Sequence, residues 1–116
     1  SITFTPEWLP LLDICADQSS VVTPPGETTN VSINIINAGN AWAIVEAEMD
    51  TELGGWISRI SPCNVLIEVH EAEQMVLSLE SPKDFNGTQP IELVFTPFHY
   101  SEIGPSYSIS IELHYP

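Results

Sequence analysis

Positive charge is almost missing from this sequence. Lys83 and Arg59 stand against sixteen Asp and Glu residues, a formal net charge of -14 over 116 residues. Counterion-release binding to nucleic acid depends on Lys and Arg, and two cannot supply it. The same sign argues against attraction to an anionic membrane surface. Long apolar runs are absent as well: no stretch approaches the ~18 residues of a membrane-spanning helix. No Gly-rich phosphate cradle, GxSxG elbow or DxDxDG calcium loop occurs. Cysteine is scarce, and Cys15 and Cys63 lack the CxxC spacing of a zinc or thioredoxin-type site.

The two cysteines admit two readings. Paired, they close a loop of about 50 residues, worth about 4 kcal/mol in the chain-entropy treatment. Unpaired, they are buried thiols of a cytosolic protein. Two N-glycosylation sequons, Asn30-Val-Ser32 and Asn86-Gly-Thr88, favour an oxidising compartment. The expectation is a Cys15–Cys63 disulfide in an extracellular or cell-envelope protein, with residues 1–116 forming one domain of a longer secreted or membrane-anchored chain. Hydrophobic content of 43% is enough for a core without metals.

What the chain does have is period-two alternation, which places every second side chain on one face of a strand. Val31, Ile33 and Ile35 alternate with Ser32 and Asn34. After Asn37-Ala-Gly-Asn40, Ala43, Val45, Ala47 and Met49 alternate with Ile44, Glu46, Glu48 and Asp50. The short Gly/Asn break predicts that these two strands pair as a hairpin. Ile2–Thr5 suggests an edge strand, and Leu11–Ala16 a first core strand. Further strands are expected over Ile57–Ile60, Val65–His70 and Met75–Ser81. Ile91–Thr96 follows, stopped by Pro97, then a loop over Phe98–Ser106. The final strand has Tyr107, Ile109, Ile111, Leu113 and Tyr115 facing inward. About seven antiparallel strands, each with one dry face, and no helix predict an all-β immunoglobulin-like β-sandwich.

The series Pro-Gly-Glu, strand, Asn37-Ala-Gly-Asn40, strand, Gly55-Trp56 and Leu77-Ser-Leu-Glu-Ser-Pro82 resembles the NEW3- and CARDB-type immunoglobulin-like modules of archaeal and bacterial secreted and cell-envelope proteins. The resemblance covers roughly residues 22–115 and departs from the pattern at the longer Phe98-His-Tyr-Ser loop. It implies an accessory or adhesive module, often in tandem and rarely catalytic, and it transfers no functional residues.

The residues themselves point the same way. His70, His99 and His114 have no nucleophile and orienting group at a recognisable spacing, so no enzyme and no cofactor are expected. Glu46, Glu48 and Asp50 share one strand face about 7 Å apart in succession, without the closing residues of a metal site. The dispersed carboxylates read as a solubilising surface, as adaptation to high salt or low pH, or as a surface for a cation or cationic partner. Aromatic and aliphatic side chains give the binding candidates. Trp42 and Ile44 lie on the outward face beside the acids, Trp56 is in a Gly-Gly turn, and Phe98 and Tyr100 are in a loop. Exposed, these groups anchor a protein partner; exposed and coplanar, the rings stack on sugars. Buried, they make the domain plain scaffold. The sequence therefore favours a non-catalytic structural, adhesive or protein-interaction module. The alternative is a carbohydrate-binding accessory module of a secreted glycoside-active enzyme.

Overall fold

Apolar side chains at alternate positions have to leave water together, and in the computed structural model, which describes residues 7–116, they do so between two sheets. Ten strands form among the described residues: β1 (Leu12–Ala16), β2 (Ser20–Val22), β3 (Thr28–Asn37), β4 (Ala43–Met49), β5 (Ile57–Ser61), β6 (Asn64–Ile67), β7 (Ala72–Glu80), β8 (Gly87–His99), β9 (Glu102–Ile103) and β10 (Tyr107–Tyr115). One sheet has the order β1-β3-β7-β5. The other runs β2-β10-β8-β4-β6, with β9 paired to β8. Val31, Ile33, Ile35, Val45, Met75, Leu77, Leu79, Leu93, Phe95, Ile111 and Leu113 are fully buried between them. The all-β sandwich and its inward faces are as the alternation requires. The edge strand expected over Ile2–Thr5 lies outside the described residues.

Strand partnership departs from expectation. β3 and β4 do not form a hairpin: β3 pairs with β1 and β7, whereas β4 pairs with β6 and β8. Their apolar faces meet across the core instead of lying side by side, so the Ala38–Trp42 connection is a bridge between sheets. Its corner is Asn37, only 1% exposed. The Asn37 side-chain amide donates to the carbonyls of Ala41 and Ile67, both at 2.9 Å, and its Oδ1 accepts from Gly39 N at 2.9 Å. Its own N–H donates to Glu71 O, and its carbonyl accepts from His70 N. One buried residue thus ties the end of β3 to the end of β6 and to the turn before β7. Gly39 is required beside it, because a Cβ there would stand 2.8 Å from Leu9 O.

The prolines do not stop β8 either. The Glu92 N–H and C=O both face the β4 side, toward Thr51 Oγ1 and Asp50 N. Pro90, two residues earlier, therefore turns its donorless nitrogen to the same side, beyond the end of β4. Pro97 O accepts from Gly104 N, so its nitrogen faces the gap between β9 and β10. Proline is tolerated where no ladder hydrogen bond is needed, and β8 runs on through Phe98 and His99. At the other expected strand end, β6 stops at Ile67 and His70 turns at φ 66°.

The expected disulfide is not formed; both cysteines are free and exposed. β1 carries Cys15 at one edge of the four-stranded sheet, and Cys63 follows β5 at the opposite edge. Three strand spacings separate those edges, roughly 14 Å, against the ~7 Å limit between Cα atoms of a disulfide. Cys63 O already accepts from Ala47 N of β4, which holds it against the other sheet. Alkylation of the native protein is expected to add two adducts without denaturant; an intact mass two hydrogens below the reduced form would contradict this geometry. Asn37→Ala strands two carbonyls and one N–H, and urea unfolding should show a loss of about 2–3 kcal/mol. A loss under about 0.5 kcal/mol would mean that water replaces the amide without difficulty.

Candidate functional site

Residues directly opposite in neighbouring strands share a face, and register places four apolar side chains in one row. Ile44 of β4 is opposite Leu66 of β6 and Phe98 of β8, and Phe98 is opposite Ile103 of β9. The row crosses the outer face of the six-stranded sheet over three strand spacings, roughly 14 Å. It is open to solvent: Leu66 is 50% exposed, Ile44 39% and Ile103 69%, with Phe98 half-buried among them. No further strand covers it among the described residues.

The remainder of that face is acidic. Glu46 lies one step along β4, in register with Asn64 and Thr96, and Glu48 follows opposite Val94. A shallow groove of about 180 Å³ runs between Glu46, Glu48, Thr96 and Phe98. Glu92 and Glu112 alternate with buried neighbours and point outward too. Arg59 belongs to β5 in the other sheet, and Lys83 lies in the β7–β8 connection beside Gly26. The face therefore carries carboxylates and neither of the chain's two permanent cations.

At the apolar end, β8 turns into β9 through Tyr100, which sits at φ 53° and is 79% exposed. Trp42, His99 and Tyr100 pack ring to ring: centroids are 4.4 Å apart for Trp42–His99, 4.7 Å for His99–Tyr100 and 5.0 Å for Trp42–Tyr100. Trp8 joins at 5.3 Å from His99. His99 Nδ1 is 2.8 Å from Trp42 O; a carbonyl only accepts, so Nδ1 carries a hydrogen and donates it. The incoming segment is laced to the bridge loop by Leu9 N donating to Asn40 Oδ1 and Asn40 Nδ2 donating to Glu7 O. Trp8 Nε1 is buried there without a hydrogen-bond partner among the described residues. A pocket of about 320 Å³ opens between Glu7–Trp8, Asn40–Ala41 and the His99–Glu102 turn.

Four of the five binding candidates thus fall in two groups on either side of the β8–β9 hairpin: Ile44 and Phe98 in the row, and Trp42 and Tyr100 in the ring cluster around His99. Trp56 does not join them. It follows β4, whereas Trp42 precedes it, and the seven residues of β4 put roughly 20 Å between them. Trp56 packs edge-to-face on Phe85 and Tyr115, at 5.1 and 5.4 Å, and closes the far end of the core. Nor are the clustered rings coplanar, since Trp42 is tilted 53° to His99 and 71° to Tyr100. Leu66, Ile103 and Trp8 complete the site without having been singled out in the sequence. Val65-Leu66-Ile67 was the available signal for the first, because an unbroken apolar run in a strand with one wet face puts one member outside. Asn30 bears on neither cluster: it is on β3, with Ser78 Oγ donating to its Oδ1 at 2.6 Å, while Asn86 is exposed in the connection before β8. His70 is in a turn. His114 pairs with Thr88 and lies 3.5 Å from Glu112.

The far cluster has its own electrostatics. Tyr115 is 3% exposed, and burial pushes its phenol above the ordinary value of 10.0, with nearby Ser81 pulling weakly the other way. Its hydroxyl is buried without a well-aligned partner, although Ser81 lies nearby with its Oγ accepting from Gly26 N and donating to Pro82 O. The fold favours the neutral phenol, so its stability is whole below the unfolded-state value and falls as pH rises through the folded one. Between about pH 9 and pH 11, the parent should lose more Tm than Tyr115→Phe. Equal losses would show that Tyr115 titrates in the folded protein as it does when unfolded.

No family model and no curated protein matches the chain. Solved structures do. A PapD-like (ASH) domain of human CEP192 superposes with a TM-score of 0.60 at 15% identity, over 86% of this chain and 81% of that one. A family 123 glycoside hydrolase from Clostridium perfringens gives 0.69 at 9% identity over 91% of this chain, which spans 27% of the hydrolase. The periplasmic chaperone SfaE gives 0.55 at 8% identity, over 89% of this chain and 57% of that one. At such identities the likeness establishes an immunoglobulin-like, PapD-like sandwich.

Proposed function

We propose that this domain is a non-catalytic interaction module, structural or adhesive, of an extracellular or cell-envelope protein. The observation that carries the reading is the row Leu66–Ile44–Phe98–Ile103, which no other strand covers among the described residues. A domain of this size has no folding reason to leave apolar side chains in register across four strands, and such patches are characteristic of partner surfaces. Phe98 supplies rigid aromatic contact area within the row, and the Trp42–Tyr100 pair supplies more at the turn from β8 into β9. The PapD-like fold and the periplasmic chaperone among its structural neighbours are consistent with an interaction role in that compartment. So are the NEW3- and CARDB-type resemblance and the exposed sequon at Asn86. Carbohydrate recognition is the weaker alternative, because the rings that would stack on a sugar are tilted against one another.

A photo-crosslinking side chain placed at Ile103 in the source cells should give a discrete adduct with one envelope or secreted protein. The same group at Asn34, on the outer face of the other sheet, should not. No adduct from position 103, or equal adducts from both positions, would overturn the reading.

A further inference from the structure

We infer that the partner of this face is a cationic polypeptide segment, with apolar side chains seated on the row and flanking Lys or Arg groups held by the carboxylates around it. The inference rests on the reading of the face as a protein interface and adds the chemistry of what binds there. Its first support is charge complementarity. Glu46 and Glu48 continue the line of Ile44 along β4, so an apolar side chain on Ile44 brings its neighbours within about 7 Å of the first carboxylate. Glu92 and Glu112 extend the same sign across the face, and both permanent cations of the chain lie elsewhere.

The second support is on the other side of the β8–β9 hairpin. Phe98 and Ile103 form one registered pair and His99 and Glu102 the next, so the two pairs point to opposite faces. The His99–Glu102 side forms the 320 Å³ pocket, whose walls include the rings of Trp8, His99 and Tyr100 and whose rim carries Glu7 and Glu102. Aromatic faces with carboxylates beside them suit an ammonium or guanidinium head, which the rings attract through their quadrupoles. A segment crossing the row and passing over Tyr100 can set one basic side chain there.

A second copy of this chain fits poorly. An isologous contact through the row would bring Glu46 and Glu48 of each copy together between two chains of net charge -14. An acidic or neutral partner would leave these carboxylates facing like charge or losing water without return.

The test uses three octapeptides, alternating Leu-Lys, Leu-Glu and Ser-Lys, titrated against the whole domain and followed by tryptophan fluorescence and amide chemical shifts. The Leu-Lys peptide is expected to bind, to weaken with added salt, and to lose about fivefold to tenfold in affinity in E46Q/E48Q. E71Q/E73Q carries the same change in net charge away from the face and should bind as the parent does. I44S/L66S should lose binding while keeping the parent's thermal unfolding, since both side chains are solvent-facing. If I44S/L66S loses binding but E46Q/E48Q does not, the face stands as an interface and the cationic assignment falls. Equal binding of Ser-Lys, or equal weakening in E71Q/E73Q, would reduce the effect to bulk attraction and overturn the inference. Binding of Leu-Glu as strong as Leu-Lys, no binding of any peptide, or a dimer that I44S/L66S dissolves would overturn it too.

Discussion

The side-chain amide of Asn37 is the contact on which the arrangement of the two sheets depends. A sandwich needs a place where the chain leaves one layer for the other, and backbone groups at such a corner lose their ladder partners. Here one buried side chain supplies them, donating to Ala41 O and Ile67 O and accepting from Gly39 N, while its main chain is bonded to the turn before β7. Each bond contributes only about 1 kcal/mol net, but a buried polar group left without its partner costs more than that. The consequence is geometric as well as energetic. Fixing Ala41 against Ile67 sets where β4 begins relative to β6, and that register puts Ile44 opposite Leu66.

Much of the inside of this protein is legible in its sequence, and less of its outside. Period-two alternation names the buried members of β3, β4 and β10, since burial is decided residue by residue by which face is dry. Alternation says nothing about which strand lies alongside. Two apolar-faced strands joined by five residues satisfy the same pattern whether they pair or face each other, and Asn37 decides it here through contacts with residues about 30 positions away. The cysteines depart from expectation on the same ground. Loop length measures what a disulfide would contribute, whereas the positions of β1 and β5 at opposite edges decide whether it can form. Trp42, Ile44, Phe98 and Tyr100 could be singled out as outward apolar groups. Ile103 could not, because its place depends on β8 continuing beyond Pro97.

The acidic composition also acts on the sheet edges. Every sandwich presents edge strands with unpaired backbone groups, which invite another chain. Among the described residues β1, β2, β5 and β6 end the two sheets and β9 has one partner, and none of these strands exceeds five residues. Pro10 precedes the first of them and Pro62 follows the third. A chain of charge -14 adds repulsion between copies. The one long apolar row runs across strands, so it offers side chains to a partner and not backbone. Recognition on such a face is set by shape and charge, whereas edge pairing would accept any extended chain.

The placement of the tryptophans has an optical consequence. Trp8 and Trp42 stand at one pole of the sandwich in contact with His99, and Trp56 at the other against Phe85 and Tyr115. Indole emission responds to the groups within a few ångströms of the ring, so the two poles report separately. Trp42 and Trp8 sense what happens at the β8–β9 turn, and Trp56 senses whether the far end of the core is closed. The domain therefore carries, without any label, one chromophore group for occupancy and another for integrity of the fold.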